Sequence, residues 1–453
     1  MAYCTWKSYK LKIEPALVFE ALKGRRHCFF LDTSLRQEGS GRYSFLGVDP
    51  FAIFKKTGKD PFDQLRAAFG PYRIPRSARH FPFMGGAVGY LGYDLGFALE
   101  ERLVKRSADD LKLPDCFFAF YNTAIIIDHK TSILHAFSCG IPEKKGHLAA
   151  VLAKENLRRI EKLLSGIEPR ANFAGKRAEC SGLTSNFSRL GYIAAVKRAK
   201  QYIKDGDIYQ VNLSQRFRAK STLDAPQIYM NLRKASPSPF GAYFDAGDFQ
   251  ILSSSPERFL KVEDGVVITR PMKGTRPRGK DKKTDASLKR QLLNSRKDEA
   301  ELVMIVDLER NDLGKVCSYD SVSVRALKQM EEYSTVFQTT ATVAGSLHKG
   351  KDRFDALRAC FPGGSITGCP KIRSMEIIEK LEPSRRGIYT GSLGYISFSG
   401  SMDFNILIRT ILIKGKRLYF GVGAGIVADS VPEEEYEETL VKAKGMMEAI
   451  GAG

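Results

Sequence analysis

Apolar and polar positions in the N-terminal third of the chain alternate over short runs that end at turn residues, a pattern typical of β-strands. The clearest run, "CFFAFYNTAIIIDHKTSILHAF" (116–137), predicts a hairpin that turns at "DHKTS". Residues 145–165 change to a helical period and predict an exposed amphipathic helix. Residues 166–187 are polar, contain glycine and lack a period, so we expect a linker after an N-terminal region of residues 10–165.

The second region, 188–449, begins with a predicted helix that has Ser188 as its N-cap and an apolar face formed by Tyr192, Val196, Ala199 and Ile203. A strand begins in "GDIYQVNLSQRF", and the other predicted strands lie near 241–254, 258–270 and 388–427, with turns at "EDG" and "KGK". Further helices are predicted at 296–309, 370–381 and 432–449.

Strand runs and helix runs are segregated along the chain, which predicts an α+β fold with large antiparallel sheets. The similar segments "GGAVGY" (85–90) and "TGSLGY" (390–395) suggest equivalent strands in two halves of the fold. We expect both regions to pack as one globular unit.

Composition limits the class of protein. The start of the chain has no apolar signal-peptide core, and no apolar run approaches the ~20 residues of a spanning helix, so we expect a cytoplasmic protein without a membrane partner. The eight cysteines form no CxxC pair and do not cluster with histidines, which argues against a zinc site or a disulfide framework.

The formal charge of +20 would attract polyanions or small acidic substrates. The basic residues are spread along the chain, and none of the usual nucleic-acid-binding motifs is evident. We therefore predict no nucleic-acid partner, and a basic nucleic-acid-binding protein remains the non-enzyme alternative.

Two pairs of acids lie three residues apart on predicted helices, where such residues share a face. They are Asp298 with Glu301, and Glu435 with Glu438. Two such helices facing each other would offer oxygen ligands suited to Mg²⁺. For the second pair, the alternative is that acids after Ser430 and Pro432 complement the dipole of a helix start.

Two glycine-rich segments, "FPGGSITGCPK" (361–371) and "GVGAGIV" (421–427), lie beside predicted helices. Their exposed N–H groups could bind an anion. The alternative is that they are tight turns that need glycine for a positive φ.

Lys273 lies in "TRPMKGTRPRGK" (269–280), after a strand that Pro271 ends and before Gly274, which permits a close backbone approach. Burial or neighbouring positive charge could lower its pKa and make the amine nucleophilic. Glu257, in "SSSPERF", is expected on the preceding strand of the hairpin and could supply acid–base chemistry. The alternative is a solvated lysine in a basic loop.

These motifs occur in one order with "ELVMIVDLERNDLG", "IRT" and "GAGIVADS…EEEYEET" over residues 190–445. In this respect the chain resembles the chorismate-utilising enzymes, related to anthranilate synthase component I. Within that family it is most similar to the aminodeoxychorismate synthase component I group, which serves 4-aminobenzoate and folate biosynthesis. The N-terminal segments "FFLDTS" and "GRYSFLGVDP" resemble the family more loosely.

The resemblance implies a large α+β sandwich, the substrate chorismate and the cofactor Mg²⁺. It implies that Glu301 and Glu438 bind the ion directly, with Asp298 and Glu435 acting through water. Tyr389 and Arg409 match the residues that bind the enolpyruvyl carboxylate. The remaining pocket residues it implies are Gly274, Thr275, Ser365, Gly423, Gly425 and Lys442.

The same resemblance implies a covalent mechanism for aminating chorismate at C4, in which Lys273 is the nucleophile and Glu257 the general acid. Anthranilate synthases carry alanine at the position of Lys273. Isochorismate and salicylate synthases carry a water-activating lysine where this chain has Gln210, which argues against water as nucleophile. The chain departs from many relatives at two positions. Gln338 stands where a histidine is common, so we expect Gln338 only to position substrate in the pocket. Cys369 stands where an alanine is common, and there we expect a change in packing.

The resemblance also implies that ammonia comes from a glutamine amidotransferase subunit, because no fused glutaminase is evident. The enzyme alternative is anthranilate synthase component I of tryptophan biosynthesis.

Overall fold

The computed structural model describes residues 3–36, 41–167, 179–333 and 336–452. Its strands, in chain order, are Cys4–Lys10 (β1), Phe29–Asp32 (β2), Tyr43–Gly47 (β3), Ala52–Lys56 (β4), Gly86–Leu91 (β5), Cys116–Tyr121 (β6), Thr123–Asp128 (β7), Ile133–Cys139 (β8), Cys180–Ser185 (β9), Gln210–Ser221 (β10), Phe240–Asp245 (β11), Phe249–Ser255 (β12), Arg258–Glu263 (β13), Val266–Arg270 (β14), Met272–Pro277 (β15), Ser323–Glu332 (β16), Val336–Ser346 (β17), Gly368–Cys369 (β18), Ser392–Ser397 (β19), Met402–Ile406 (β20), Thr410–Lys414 (β21) and Arg417–Ile426 (β22).

The helices in the same residues are Pro15–Leu22 (α1), Phe62–Phe69 (α2), Gly96–Leu99 (α3), Gly146–Ser165 (α4), Arg189–Lys204 (α5), Ala225–Ala235 (α6), Lys282–Asn294 (α7), Arg296–Gly314 (α8), Arg353–Cys360 (α9), Lys371–Leu381 (α10) and Pro432–Ile450 (α11). Side-chain caps explain several starts. Ser188 accepts the Gly191 N–H at the start of α5, as predicted, and Ser295 accepts the Asp298 N–H at the start of α8.

The strands of the described residues form two antiparallel sheets. The larger has twelve strands in the order β1-β8-β7-β3-β2-β11-β12-β21-β22-β10-β18, with β9 also paired to β10. The smaller has ten in the order β15-β17-β14-β13-β20-β19-β5-β6-β4, with β16 also paired to β17. Each sheet contains strands from both predicted regions, and the predicted α+β class with large antiparallel sheets is confirmed.

The two sheets pack face to face through aromatic side chains. Phe45 of β3 lies 5.4 Å from Tyr395 of β19, and Phe117 of β6 lies 5.7 Å from Phe244 of β11, measured between ring centroids. The outer face of the twelve-stranded sheet is covered by α1, α4, α6 and α11, whose apolar residues join Phe30, Leu46 and Leu252 in a second cluster. Strands of this sheet therefore bury both faces, which explains continuous apolar runs such as "AIII".

The predicted hairpin at 116–137 is partly wrong. β7 and β8 pair as expected around "DHKTS". β6, however, belongs to the other sheet, where it pairs with β4 and β5. The chain changes sheets at Asn122, and strand propensity alone does not show which sheet a strand joins.

Several local expectations also need correction. The predicted linker 166–187 contains β9, which pairs with β10; residues 168–178 lie outside the described residues. "GVGAGIV" is largely the end of strand β22 rather than a turn beside a helix. Lys273 lies in strand β15 instead of a loop, and Glu257 lies in the connection before β13 rather than on a strand. The helix expected at 432–449 is confirmed and spans Pro432–Ile450.

The similar segments "GGAVGY" and "TGSLGY" contribute β5 and β19, which pair directly. Gly89 and Gly394 lie opposite each other, and a Cβ at either would collide with the backbone of the next strand. The likeness therefore reflects a shared requirement for close strand approach, and the idea of two equivalent halves stays a prediction.

Candidate functional site

Strand β15 places Lys273 against helix α8. Lys273 is opposite Thr339 of β17, whose hydroxyl donates to the Lys273 carbonyl. Gly274 has a φ of +76°, and a Cβ there would lie 3.0 Å from Cβ and Cγ of Asp298. The glycine therefore provides both the left-handed backbone and the close approach to α8.

The Lys273 side chain is only 14% exposed, and its Nζ lies 3.8 Å from Oε2 of Glu301. Burial lowers the pKa of Lys273; Glu301 opposes this, and the charge of Lys442 acts in the same direction as burial. The net direction is downward, so the neutral, nucleophilic amine is more populated than on an exposed lysine. The interpretation of Lys273 as a solvated loop lysine is wrong.

Glu257 is 5% exposed, and its Oε1 accepts a 2.6 Å hydrogen bond from the Ser365 hydroxyl. Burial raises the pKa of Glu257 to about 7, although the Ser365 hydrogen bond and the charge of Lys273 act in the opposite direction. A carboxyl with this pKa exists in both protonation states at neutral pH and can donate a proton. Ser365 comes from the glycine-rich segment 361–371, so that segment supports the acid.

The four predicted metal ligands lie on α8 and α11, but each already has a protein partner. Asp298 pairs with Arg276 at 2.9 Å, Glu301 lies near Lys273, and Glu435 accepts from the Ser430 hydroxyl at 2.6 Å. Glu438 pairs with Lys442 at 2.7 Å. Among the described residues no group of three or more His, Cys, Asp or Glu side chains is close enough to hold a metal ion.

The two acids of α11 differ in character. Burial raises the pKa of Glu435, although its hydrogen bond from Ser430 acts against this. For Glu438, whose side chain is half exposed, burial is outweighed by Lys442 and by Lys273, and its pKa is lowered. Glu438 is therefore the more readily ionised of the pair.

Glycines of β22 form the surface that faces these side chains. A Cβ at Gly425 would lie 2.5 Å from Nε2 of Gln210 and 3.3 Å from Nζ of Lys273. A Cβ at Gly423 would lie 2.8 Å from Oδ1 of Asn212. None of these glycines is needed for a positive φ, so the tight-turn alternative is wrong for this segment, and the glycines are required for space.

Lys442 of α11 reaches the same surface, since its Nζ donates to the Gly423 carbonyl at 2.9 Å. Gln338 of β17 donates to the Thr275 hydroxyl at 3.2 Å. The Oε1 atoms of Gln338 and of Gln210 are buried and have no protein partner among the described residues. The structure thus gathers Lys273, Gln210, Gly425, Glu301, Lys442 and Glu438 around one surface.

Tyr389 and Arg409 are tied to this surface less directly. The ring of Tyr389 lies where a Cβ on Gly421 would be, two residues before Gly423. Arg409 has a φ of +49° and lies between β20 and β21. Burial lowers the pKa of its guanidinium, but arginine remains charged at neutral pH. A charged, half-buried guanidinium is suited to an anion.

Sequence analysis did not identify Arg386. This side chain is buried, pairs with Glu382, and donates from Nη1 to the Ile366 carbonyl next to Ser365. Its guanidinium also lies 5.9 Å from the centre of the Tyr389 ring. Arg386 thereby connects the turn that contains Tyr389 to the segment that contains Ser365. The one feature of the sequence that could have pointed to Arg386 is its position three residues before Tyr389.

A separate cavity of about 850 Å³ lies between the two sheets. Its lining includes Asp32, His129, Arg258 and Tyr395, and none of the side chains predicted as catalytic, substrate-binding or metal-binding. The candidate site is therefore defined by its chemistry and not by the size of a cavity.

Comparison of the sequence with models of known protein families identifies the family to which the residues of the candidate site belong. The family model described as chorismate binding enzyme matches residues 27–448. The chain belongs to this family. It is thus a chorismate-utilising enzyme, and the match covers all of the candidate site and every described strand except β1.

Relatives within the family have different activities. The chain is 39% identical to aminodeoxychorismate synthase component 1 of Bacillus subtilis (strain 168), over 95% of this chain and 93% of the relative. It is 37% identical to anthranilate synthase component 1 of Acetivibrio thermocellus, over 96% and 92% of the two chains. The anthranilate synthase component 1 of Thermus thermophilus is 39% identical, over 96% and 95%. Overall identity does not separate the two activities.

Solved structures confirm the fold. Anthranilate synthase component I from Streptococcus pneumoniae TIGR4 superposes with a TM-score of 0.80 at 32% identity, over 96% of this chain and 97% of that one. The menaquinone-specific isochorismate synthase MenF from Escherichia coli superposes with a TM-score of 0.76 at 18% identity, over 99% and 95%. The second likeness concerns the fold alone.

Proposed function

We propose that this enzyme aminates chorismate at C4 to give 4-amino-4-deoxychorismate, with Lys273 as a covalent nucleophile. The observation that carries the proposal is the buried Lys273 amine, whose pKa is lowered and which lies beside the glycine surface of β22. A lysine that only stabilised the fold would be expected to ion-pair at shorter distance than the 3.8 Å to Glu301.

The proposed reaction has two displacement steps. Neutral Lys273 attacks C2 of chorismate, both ring double bonds shift along the conjugated system toward C4, and the C4–O bond breaks so that the hydroxyl leaves as water with a proton from Glu257. Ammonia then attacks C4, both double bonds shift back, and the C2–N bond to Lys273 breaks to release the amine. The proton that ammonia loses returns to Glu257. The sum is chorismate plus ammonia giving aminodeoxychorismate plus water.

The donor set on α8 and α11 fits Mg²⁺, because this ion needs only one or two carboxylates together with water and substrate oxygens. Glu301 and Glu438 would hold it, with Asp298 and Glu435 acting through water. When bound, the ion would neutralise and orient the ring carboxylate of chorismate. A site of this kind does not require three clustered protein ligands.

The other proposed substrate contacts are those of a pocket for a dianion. Arg409 and Tyr389 would bind the enolpyruvyl carboxylate, and Gly274, Thr275, Ser365, Gly423, Gly425 and Lys442 would line the remainder. Gln210 cannot act as a base toward water, which favours ammonia as the nucleophile. Gln338 would position substrate through its free Oε1.

We also propose that ammonia is delivered by a glutamine amidotransferase subunit, as the names of the component 1 relatives indicate an assembly of components. The pathway would be 4-aminobenzoate and folate biosynthesis, in the cytoplasm. In the described part of the chain, no helix has the length and apolar character needed to cross a membrane.

The second candidate is anthranilate synthase component I, favoured by the number of relatives with that name. The two are separated by incubating the enzyme with chorismate, Mg²⁺ and ammonium salt and resolving the products by chromatography. We expect aminodeoxychorismate, which yields 4-aminobenzoate after an added lyase. Anthranilate as the main product would overturn the proposal.

Lys273→Ala should reduce aminodeoxychorismate formation at least about 100-fold while the variant remains folded, because it removes the amine that is proposed to form the bond to C2. Lys280→Ala, an exposed lysine on the same segment, is the matched control and should retain activity. Mass spectrometry of wild-type enzyme quenched with chorismate should find a substrate adduct on the peptide that contains Lys273. Near-normal turnover of Lys273→Ala would exclude covalent catalysis.

A further inference from the structure

Gly387, in the loop between α10 and β19, is held from both sides by residues 93 and 94 of the N-terminal region. Its N–H donates to Oδ2 of Asp94 at 3.0 Å, and its carbonyl accepts the N–H of Tyr93 at 2.8 Å. Gly387 has a φ of +61°, a conformation that these two contacts help to maintain. Asp94 is 6% exposed, so its hydrogen bond is shielded from water.

Glycines bring the two segments into close contact. A Cβ on Gly391 would lie 2.3 Å from the Leu91 carbonyl oxygen and 3.0 Å from the Tyr93 nitrogen. A Cβ on Gly92 would lie 3.1 Å from the Gly387 carbonyl oxygen. The segment 91–94 therefore packs against Gly387 and Gly391, and Asp94 supplies the side chain that contacts Gly387.

The residues on either side of Gly387 connect it to the candidate site. Tyr389 lies two residues later, and its N–H donates to the Arg386 carbonyl at 3.1 Å. Arg386, just before Gly387, stacks on the ring of Tyr93 at 4.7 Å and holds the carbonyl next to Ser365. A shift of Gly387 would consequently move both a proposed substrate contact and the support of the proposed acid.

The groups that face Asp94 come from three segments. Burial raises the pKa of Asp94 to about 7; the Gly387 N–H, Lys105 and Arg385 oppose the rise, and Asp115 adds to it. Asp109 and Asp110 line the same small cavity. At neutral pH a small change in proton concentration therefore changes how strongly the Asp94 side chain accepts from Gly387.

We propose that Asp94 is a positioning residue of the chorismate site: its carboxylate fixes Gly387 and, through it, the placement of Arg386 and Tyr389. The inference rests on the proposed role of Tyr389 in binding substrate. Through Asp94, the N-terminal region would directly affect the affinity for substrate, although that region supplies none of the proposed catalytic groups.

The test measures the KM for chorismate by chorismate consumption, whatever the product, so that it is independent of the product assay above. Asp94→Ala should raise this KM roughly tenfold, the loss expected for one charge-assisted hydrogen bond. The kcat should change less than about threefold, and the KM for ammonia should stay the same. Asp128→Asn is the matched control, because Asp128 is as buried but accepts the Lys130 N–H at 2.9 Å at the end of β7, and it should leave the KM for chorismate unchanged.

Asp94→Asn separates positioning from folding, since its amide oxygen still accepts from Gly387 but carries no charge. At pH 6, where Asp94 is largely neutral, the variant and the wild type should have the same KM for chorismate. At pH 8 the KM of the wild type should be lower by about threefold. Comparing the two proteins at each pH cancels the titration of Glu257, which they share. A constant ratio across this range, or an unchanged KM in Asp94→Ala, would overturn the inference.

Discussion

The residues next to Lys273 in the sequence do not show that its side chain is buried or that its pKa is lowered. It lies in a segment rich in lysine and arginine, and most such residues are solvated. Its burial arises from residues far away in sequence, Glu301 on α8 and Gly425 on β22. The motif allowed Lys273 to be singled out, but the direction of its pKa depends on contacts that no local pattern encodes.

Glu309 is a second buried acid that sequence analysis did not single out. It is 8% exposed, and its Oε2 lies 2.9 Å from the Thr269 hydroxyl. That hydroxyl is also 2.8 Å from the Phe259 carbonyl, which can only accept. The hydroxyl has only one proton for these two acceptors, so it compensates the charge of a buried carboxylate poorly, and burial favours the protonated form of Glu309.

Glu309→Gln should become more stable than wild type as pH rises. Burial, followed by the charge of Glu257, raises the pKa of Glu309 well above its ordinary value. Between that ordinary value, near 4.3, and the raised folded-state pKa, unfolding releases a proton and wild-type stability falls with pH. The amide oxygen of glutamine can accept the same hydrogen bond from Thr269, and the amide does not titrate. Thermal unfolding should give similar Tm values at pH 5 and a Tm higher by a few degrees for the variant at pH 8.

The control for that comparison is Glu434→Gln, an exposed acid on α11, for which the difference in Tm from wild type should not change with pH. If Glu309→Gln lowers the Tm equally at both pH values, the titration of Glu309 does not contribute to the pH dependence of stability, and the prediction is wrong.

At the scale of elements, helices were predicted better than strands. Ser188 and the apolar face of α5 determine that helix locally, and α10 and α11 begin within a residue of their predicted starts. Strands were found, but their partners were not: β6 and β7, adjacent in the chain, belong to different sheets. Helix hydrogen bonds are local, whereas strand pairing depends on distant segments.

The glycines of β22 give a prediction at this scale. Gly425→Ala should reduce turnover about tenfold or more while the fold is retained, because the new methyl group would contact Gln210 and displace the Lys273 amine. Steady-state kinetics and the far-UV circular dichroism spectrum measure the two effects. Gly146→Ala, at the open start of α4, is the matched control and should leave both unchanged. Equal activity of the two variants would mean that β22 does not border the reacting groups.

At the scale of the whole molecule, the two predicted regions are interleaved. β2 of the first region pairs with β11 of the second, and β5 lies between β19 and β6. Neither sheet can form without strands from both regions, so the boundary predicted near 166–187 does not separate two sheets.

This interleaving predicts one cooperative unfolding transition for the full chain. Fluorescence of Trp6, the single tryptophan, reports on β1, whereas far-UV circular dichroism reports on all elements. The two denaturation curves should coincide, as expected for a two-state transition. Separate midpoints would indicate that the regions unfold independently despite the shared sheets.

The sequence by itself determined the α+β class and the main helices, because caps and periodic patterns are local features of the chain, and its motifs predicted residues of the candidate site. Only the tertiary structure decided which strands pair, that Lys273 is buried beside Glu301, and that Asp94 holds the loop of Tyr389. These depend on burial and on contacts between distant segments, and burial sets the direction of the pKa shifts of Lys273 and Glu257.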